Sequence, residues 1–376
     1  MSITRLSITR RIFLRNGALA VVGTTTLPSF LTRAAFGASD PGVHTKRVVV
    51  IFQRGAAAGL NIVVPHGEPS YYAMRPTINV PKKSVLDLDG FFGLHPAMSP
   101  FQPLWKQKHL AIVHAAGSPD PTRSHFDAQD FMESGTPGVK VTDDGWLNRA
   151  LRDLPPDNSP DKPAFRAISL GQSLPRILSG KEPAVAVKTL KAADPTHYTP
   201  AANANYPKVR FGDDLKQLAQ LIKANLGVQV AFADIGGWDH HVNEGSTQGQ
   251  IANVLGDFSQ SIAAFWTDLG DLGEDTVVVT MSEFGRTARE NGNRGTDHGH
   301  ANVMFVMGGP VKGGKVYGRW PGLDQSQLYE GRDLAVTTDF RLVLSEVVSQ
   351  YLGNKDLRTV FPGFENQSGQ FLKLLG

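Results

Sequence analysis

Cysteine is absent from all 376 residues. That absence removes disulfide frameworks, thiolate zinc sites, iron–sulfur clusters and thiol nucleophiles together, and leaves any metal to His, Asp and Glu. Acidic side chains are missing from the first 39 positions, where Arg5, Arg10, Arg11, Arg15 and Arg33 stand. Long apolar runs are missing too: the stretch from Gly17 to Leu31 is short and rich in Thr, and no later stretch reaches a membrane-spanning length. What is present is globular in composition, with 41% apolar residues, 39 Gly and 24 Pro, which excludes coiled coil, collagen and wholesale disorder.

The formal charge of +3 comes from the N-terminal segment. Of 38 Lys and Arg, removing the five arginines named above leaves 33 against 35 Asp and Glu, a formal −2, so the remainder is not a nucleic-acid binder by charge. The segment reads Thr9-Arg10-Arg11-Ile12-Phe13-Leu14-Arg15, then the apolar stretch, then Ala34, Ala35, Gly37 and Ala38. This is the twin-arginine export pattern, an address read by a receptor. The expectation is a signal peptide over residues 1–39, cut between Ala34 and Ser39. The partner is then the twin-arginine export machinery, and the mature chain is periplasmic or extracellular with no stable membrane span. Residues 40–376 are expected to form a single domain, with 155–209, heavy in Pro, Asp, Ala and Asn, as a cap or insertion.

Short apolar runs alternate with helical stretches. Strands are expected at Arg47 to Phe52, Leu110 to Ala115, Phe165 to Leu170, Val228 to Ala233, Thr276 to Met281 and Ala301 to Met307. Helices are expected at Ala97 to Lys108, His125 to Ser134, Trp146 to Leu154, Asp213 to Asn225, Thr247 to Leu269 and Thr338 to Tyr351. Strands buried on both faces and alternating with helices predict an α/β fold, a doubly wound, mostly parallel sheet with helices on both faces.

Open parallel sheets hold ligands beyond the carboxyl ends of their strands. The segments there are Arg54 to Asn61, Gly117 to Asp127, Asp234 to Glu244, and Ser282 to Thr287 with Gly295 to His300. They contain His125, His240, His241, His298 and His300, five of the eleven His, beside carboxylates. Imidazole with carboxylate suits Zn²⁺ or Mn²⁺, whereas carboxylates alone favour Mg²⁺ or Ca²⁺. Asp239 and His241 can reach one ion from a single turn, with Glu283 and His298 supplied by a neighbouring strand end. Ser124 is either a helix N-cap paired with Asp127 or a nucleophile at a helix N-terminus, where free N–H groups favour an anion. Arg123 would add a fork for phosphate or sulfate oxygens, and Thr122 is the rival nucleophile. His125, Arg286 and Asp297 are second-tier candidates. Gly308-Gly309 and Gly313-Gly314 lack the Lys-Ser or Lys-Thr of a phosphate loop and read as turns.

Arg54-Gly55 with Gly59-Leu60-Asn61, Thr122 to Asp127, Gly236 to Asp239 with His241, Ser282 to Thr287, and Gly295 to Gly299 together resemble the exported bacterial family called domain of unknown function 1501. That family is held to be similar to the alkaline phosphatase superfamily of phosphatases, phosphodiesterases, sulfatases and phosphomutases. The resemblance implies a doubly wound sheet and one or two divalent ions at its carboxyl edge, with Ser124 as nucleophile. It also implies Asp239, His241 and His298 as ligands of one ion and Glu283 as a ligand of the other. Ala58 departs from the pattern, since the family commonly carries Asp there. The implied activity is metal-dependent hydrolysis of phosphate or sulfate esters. The alternatives are a catalytically degenerate binding or envelope-associated protein, and an enzyme of other chemistry that uses the metal as a Lewis acid.

Overall fold

A computed structural model describes residues 18–21, 45–140, 142–152, 154, 165–187, 198–365 and 368–376. The twin-arginine motif and the cleavage zone lie outside the described residues; of the N-terminal segment only Ala18–Val21 (β1) is described, as a strand. The strands β2 (Arg47–Gln53), β3 (Leu110–Gly117), β4 (Ala167–Leu170), β5 (Ala184–Val187), β6 (Val230–Ile235), β7 (Thr276–Met281), β8 (Asn302–Gly308), β9 (Lys315–Tyr317) and β10 (Thr338–Asp339) join it in a ten-stranded sheet. The order is β1-β5-β4-β6-β2-β7-β8-β3-β9, with β10 also on β3. Every pairing is parallel except the two made by β8. The expected doubly wound, mostly parallel sheet is therefore present.

The reason shows in β2, where every residue is buried. Val49 and Ile51 point into one apolar cluster and Val48, Val50 and Phe52 into another, the period of two of an extended chain covered on both sides. The first cluster takes in α3 (Arg210–Lys223) and α4 (Gln250–Leu269), and the second α2 (Trp146–Ala150) and α5 (Phe340–Glu346). The helix α1 (His125–Ser134) has the bounds expected of it and closes on Gly135 in the left-handed region.

Three expectations need correction. Ala97 to Lys108 is not one helix: Pro96–Phe101 is a 3-10 turn and Gln102–Lys106 a short α-helix, because Pro100 and Pro103 deny the backbone donors a continuous ladder needs. Thr338 to Tyr351 opens as strand, then runs helical over Phe340–Glu346 and as a π-helix over Val347–Leu352. The stretch 155–209 is not an insertion throughout, since Ala167–Leu170 and Ala184–Val187 are strands of the main sheet. Its residues 155–164 and 188–197 lie outside the described residues.

Because β2, β3, β6 and β7 share one direction and β8 runs against them, the ends of the first four and the start of β8 meet at one sheet edge. All the candidate residues named above sit at that edge. A three-stranded antiparallel sheet of Val63–Val64, Gly93–Leu94 and Leu86–Asp87 packs beside it.

Candidate functional site

The turn after β6 is anchored by Trp238, which is fully buried edge-on to Phe258 and donates its indole N–H to the Ile235 carbonyl at 3.0 Å. Truncating an aromatic so buried costs about 3–5 kcal/mol, so the residue after it is held in a fixed place. That residue is Asp239. The loop after β2 presses against it: a Cβ on Gly55, at φ +116, would sit 2.9 Å from the Asp239 backbone N, so only glycine fits. Behind the turn, wholly buried Glu244 accepts from Asn61 Nδ2 at 2.8 Å and Thr296 Oγ1 at 2.6 Å, tying the segment to the loop that precedes β8.

That loop folds back as a hairpin. Gly285 N donates to the His300 carbonyl and Gly299 N to the Gly285 carbonyl, each at 2.8 Å, and a Cβ on Gly285 would collide with the Ala301 carbonyl oxygen at 1.8 Å. The close pairing sets Arg286 opposite His298.

Three imidazoles and one carboxylate converge in front of this frame. His298 Nε2 lies 3.0 Å from His125 Nε2 and 3.0 Å from His241 Nε2. Asp239 Oδ1 is 3.0 Å from His241 Nε2 and 3.4 Å from His298 Nε2, and its Oδ2 is 3.6 Å from His125 Nε2. The opposite ring nitrogens are all spoken for. His125 Nδ1 faces Glu283 Oε1 at 2.9 Å, His241 Nδ1 faces Asp297 Oδ1 at 3.0 Å, and His298 Nδ1 faces the Arg123 carbonyl oxygen at 2.9 Å. A carbonyl or carboxylate oxygen can only accept, so each Nδ1 donates outward, and a ring that binds a metal through Nε2 would turn that nitrogen's lone pair inward, towards His298 and Asp239. Lone pairs that close repel unless a cation sits among them. Among the described residues, His125, Asp239 and His298 form the one grouping of metal-type donors with all ligand atoms within 4.8 Å of each other. The donor set fits a borderline ion such as Zn²⁺ or Mn²⁺, and the oriented outer nitrogens are the supporting shell such a site needs.

The charges agree. Glu283 is buried, which alone would raise its pKa, yet hydrogen bonds headed by that from His125 hold it below the usual carboxylate range. The same bond lifts His125 above an ordinary imidazole, against the effect of burial. Burial lowers His298, reinforced by the nearby positive charges of His125 and Arg286. Burial would raise Asp239, but the Arg286 guanidinium on its Oδ1 keeps it low.

The structure brings Asp239, His241 and His298 together and adds His125, which the spacing ranked second. Glu283, expected as a ligand of a second ion, lies against His125 in this structure. Its Oε1 already accepts from Gly55 N at 2.8 Å, Gln129 Nε2 at 2.9 Å and His125 Nδ1, and its Oε2 from Ser282 Oγ at 3.0 Å, so it stands behind His125 and orients it. Arg123 was expected to add a fork for phosphate or sulfate oxygens. Its guanidinium is engaged by buried Asp333 at 2.6 Å and by Glu330 at 2.7 Å, so only its carbonyl serves the cluster. Arg286 pairs with Asp239, and Asp297 orients His241. Ser124 is exposed at the N-cap of α1 without a side-chain cap bond, and Asp127 pairs with Lys140 instead of completing a capping box. Thr122 Oγ1 accepts from the Ser124 backbone N at 3.2 Å. Ala58 is buried in the main apolar cluster. The sequence marked the loop that Arg54 opens but gave Arg54 no role; its guanidinium clamps Asp234 at 2.6 Å, Gln129 at 2.9 Å and Glu133 at 2.9 Å over the Phe52 ring, fixing α1 to the ends of β2 and β6. Its place one residue beyond β2 was the available signal. A cleft of about 380 Å³ lined by Arg210, Gly237, His240, Gln250 and Asp257 lies beside the Gly236 to His240 turn and includes none of the cluster's four donors.

Residues 146–353, more than half of the chain, match the family described as protein of unknown function, DUF1501. The chain belongs to this family. No curated protein sequence matches it. Among solved structures, the DUF1501 chain is similar to the C-terminal periplasmic domain of EcEptC from Escherichia coli in complex with Zn, at 11% identity over 88% of this chain and 90% of that one, with a TM-score of 0.45. It is also similar to the lipoteichoic acid synthase LtaP from Listeria monocytogenes, at 8% identity over 74% and 71% of the two chains, TM-score 0.37. A protein of the alkaline phosphatase superfamily from Vibrio parahaemolyticus matches at 11% identity over 77% and 69%, TM-score 0.38.

Proposed function

We propose that this DUF1501 protein is an exported hydrolase of phosphate or sulfate esters that works with one divalent ion held by His125, Asp239, His241 and His298. The observation that carries this reading is the approach of three Nε2 atoms to one carboxylate, each ring held from behind by an acceptor, with His125, Asp239 and His298 as the tightest grouping. When bound there, the ion would polarise an ester oxygen and lower the pKa of a nearby hydroxyl. Ser124 immediately precedes His125 and has its hydroxyl free of a capping bond at the N-terminus of the ten-residue α1, where unpaired backbone N–H groups favour an anion. Its Oγ would attack phosphorus or sulfur, forming the seryl ester as the alcohol leaves with a proton, and water would then cleave that ester and restore Ser124. Among the described residues no second group of donors accompanies the first, which supports one ion over two.

Metal-stripped protein is expected to be inert towards 4-nitrophenyl phosphate and 4-nitrophenyl sulfate, and to hydrolyse at least one after reloading with Zn²⁺ or Mn²⁺. Turnover unchanged by chelation would defeat the metal-dependent reading. Engagement of the Arg123 guanidinium by Asp333 and Glu330 favours the second reading, a degenerate member that holds a ligand without turnover. Loaded protein that binds phosphate tightly and turns over neither ester would establish it.

Export by the twin-arginine route belongs to the same proposal. It rests on Arg10-Arg11 and the acid-free segment around them, and no helix among the described residues is long and apolar enough to cross a membrane. Changing Arg10 and Arg11 together to Lys is expected to keep the protein inside the cell, as read by fractionation; unchanged export would exclude that route.

A further inference from the structure

Among the described residues three large hydrophobic side chains are exposed: Phe126 at 90%, Val242 at 50% and Val139 at 49%. Single exposed apolar side chains are ordinary, so their placement is what matters. Phe126 follows His125 and Val242 follows His241, the two rings that meet His298 from either side. Two of the three exposed large apolar side chains thus adjoin metal-type donors in the chain.

We infer that the ester taken by this site carries an apolar arm, alkyl or aryl, that lies across Phe126 with Val242 opposite while its anionic head faces the three imidazoles. The inference rests on the ester-hydrolase reading and adds the substrate class to it. Two such side chains are too few for a protein interface, which takes roughly 800 Å² from each partner. They suffice for a chain of a few carbons, where each buried methylene gives about a fourfold gain in affinity.

The test is isothermal titration of the zinc-loaded full chain with inorganic phosphate, methyl phosphate and hexyl phosphate, on the wild type and on Phe126→Ser. Hexyl phosphate is expected to bind at least tenfold more tightly than methyl phosphate to the wild type. Phe126→Ser should lose most of that gain and keep its affinity for inorganic phosphate within twofold. Equal affinities for the hexyl and methyl esters, or a gain that survives Phe126→Ser, would overturn the inference and leave the ester reading standing. Failure of inorganic phosphate to bind would sink both. A parallel titration with phosphatidylcholine vesicles separates a membrane surface from a soluble arm: vesicle binding that depends on Phe126, without a preference for hexyl phosphate, would assign the rim to a lipid surface and overturn the proposal.

Discussion

Replacing His298 by Ala is expected to weaken zinc binding by more than roughly 100-fold, beyond the 10–100-fold that losing an outer-shell partner costs. His298 is the centre of the arrangement, since its Nε2 alone stands 3.0 Å from both other imidazoles. Glu283→Gln sets the comparison. The amide can still face His125, but the buried negative charge that holds the His125 Nδ1 proton is gone, so the loss should fall inside the 10–100-fold range. Competitive titration with a chromophoric chelator measures both. Equal, small losses in the two variants would mean that the cluster is a hydrogen-bonded surface feature.

Ser124→Ala is expected to lower kcat on the better aryl ester by roughly 10⁶-fold, the scale on which removal of a nucleophile is felt, while zinc affinity stays near that of the wild type. The two readouts separate chemistry from metal holding. Ser124 is exposed and makes no cap bond, so its loss should cost little stability. Retained turnover in Ser124→Ala would transfer the nucleophile's part to Thr122 or to water. Rescue by Ser124→Thr, in part, would support a hydroxyl at this place.

The sheet was largely legible because strands buried on both faces must be continuous apolar runs, as Arg47 to Phe52 and Thr276 to Met281 are. Direction was not legible. Asn302–Gly308 has the same composition as its parallel neighbours and runs against them, since periodicity carries no sign. Ala184–Val187 went unread because four small apolar residues inside a Pro-rich stretch are too short a signal. The loops after strand ends bring Asp239, His241 and His298 together, as their places in the sequence led one to expect. His125 was undervalued because sequence alone does not tell which way a side chain in the first turn of a helix points. The pairing of Arg123 with Asp333, 210 residues away, and the burial of Glu283 behind His125 are long-range contacts that no local spacing encodes. Ala58, expected as a departure from the family's Asp, occupies an apolar and buried place.

X-ray absorption at the zinc edge of the loaded protein tests the central claim most directly. One zinc per chain, with N and O ligands near 2.0–2.1 Å and outer-shell scattering from at least two imidazoles, is the expected result. Substoichiometric zinc with oxygen ligands alone and no imidazole scattering would contradict it.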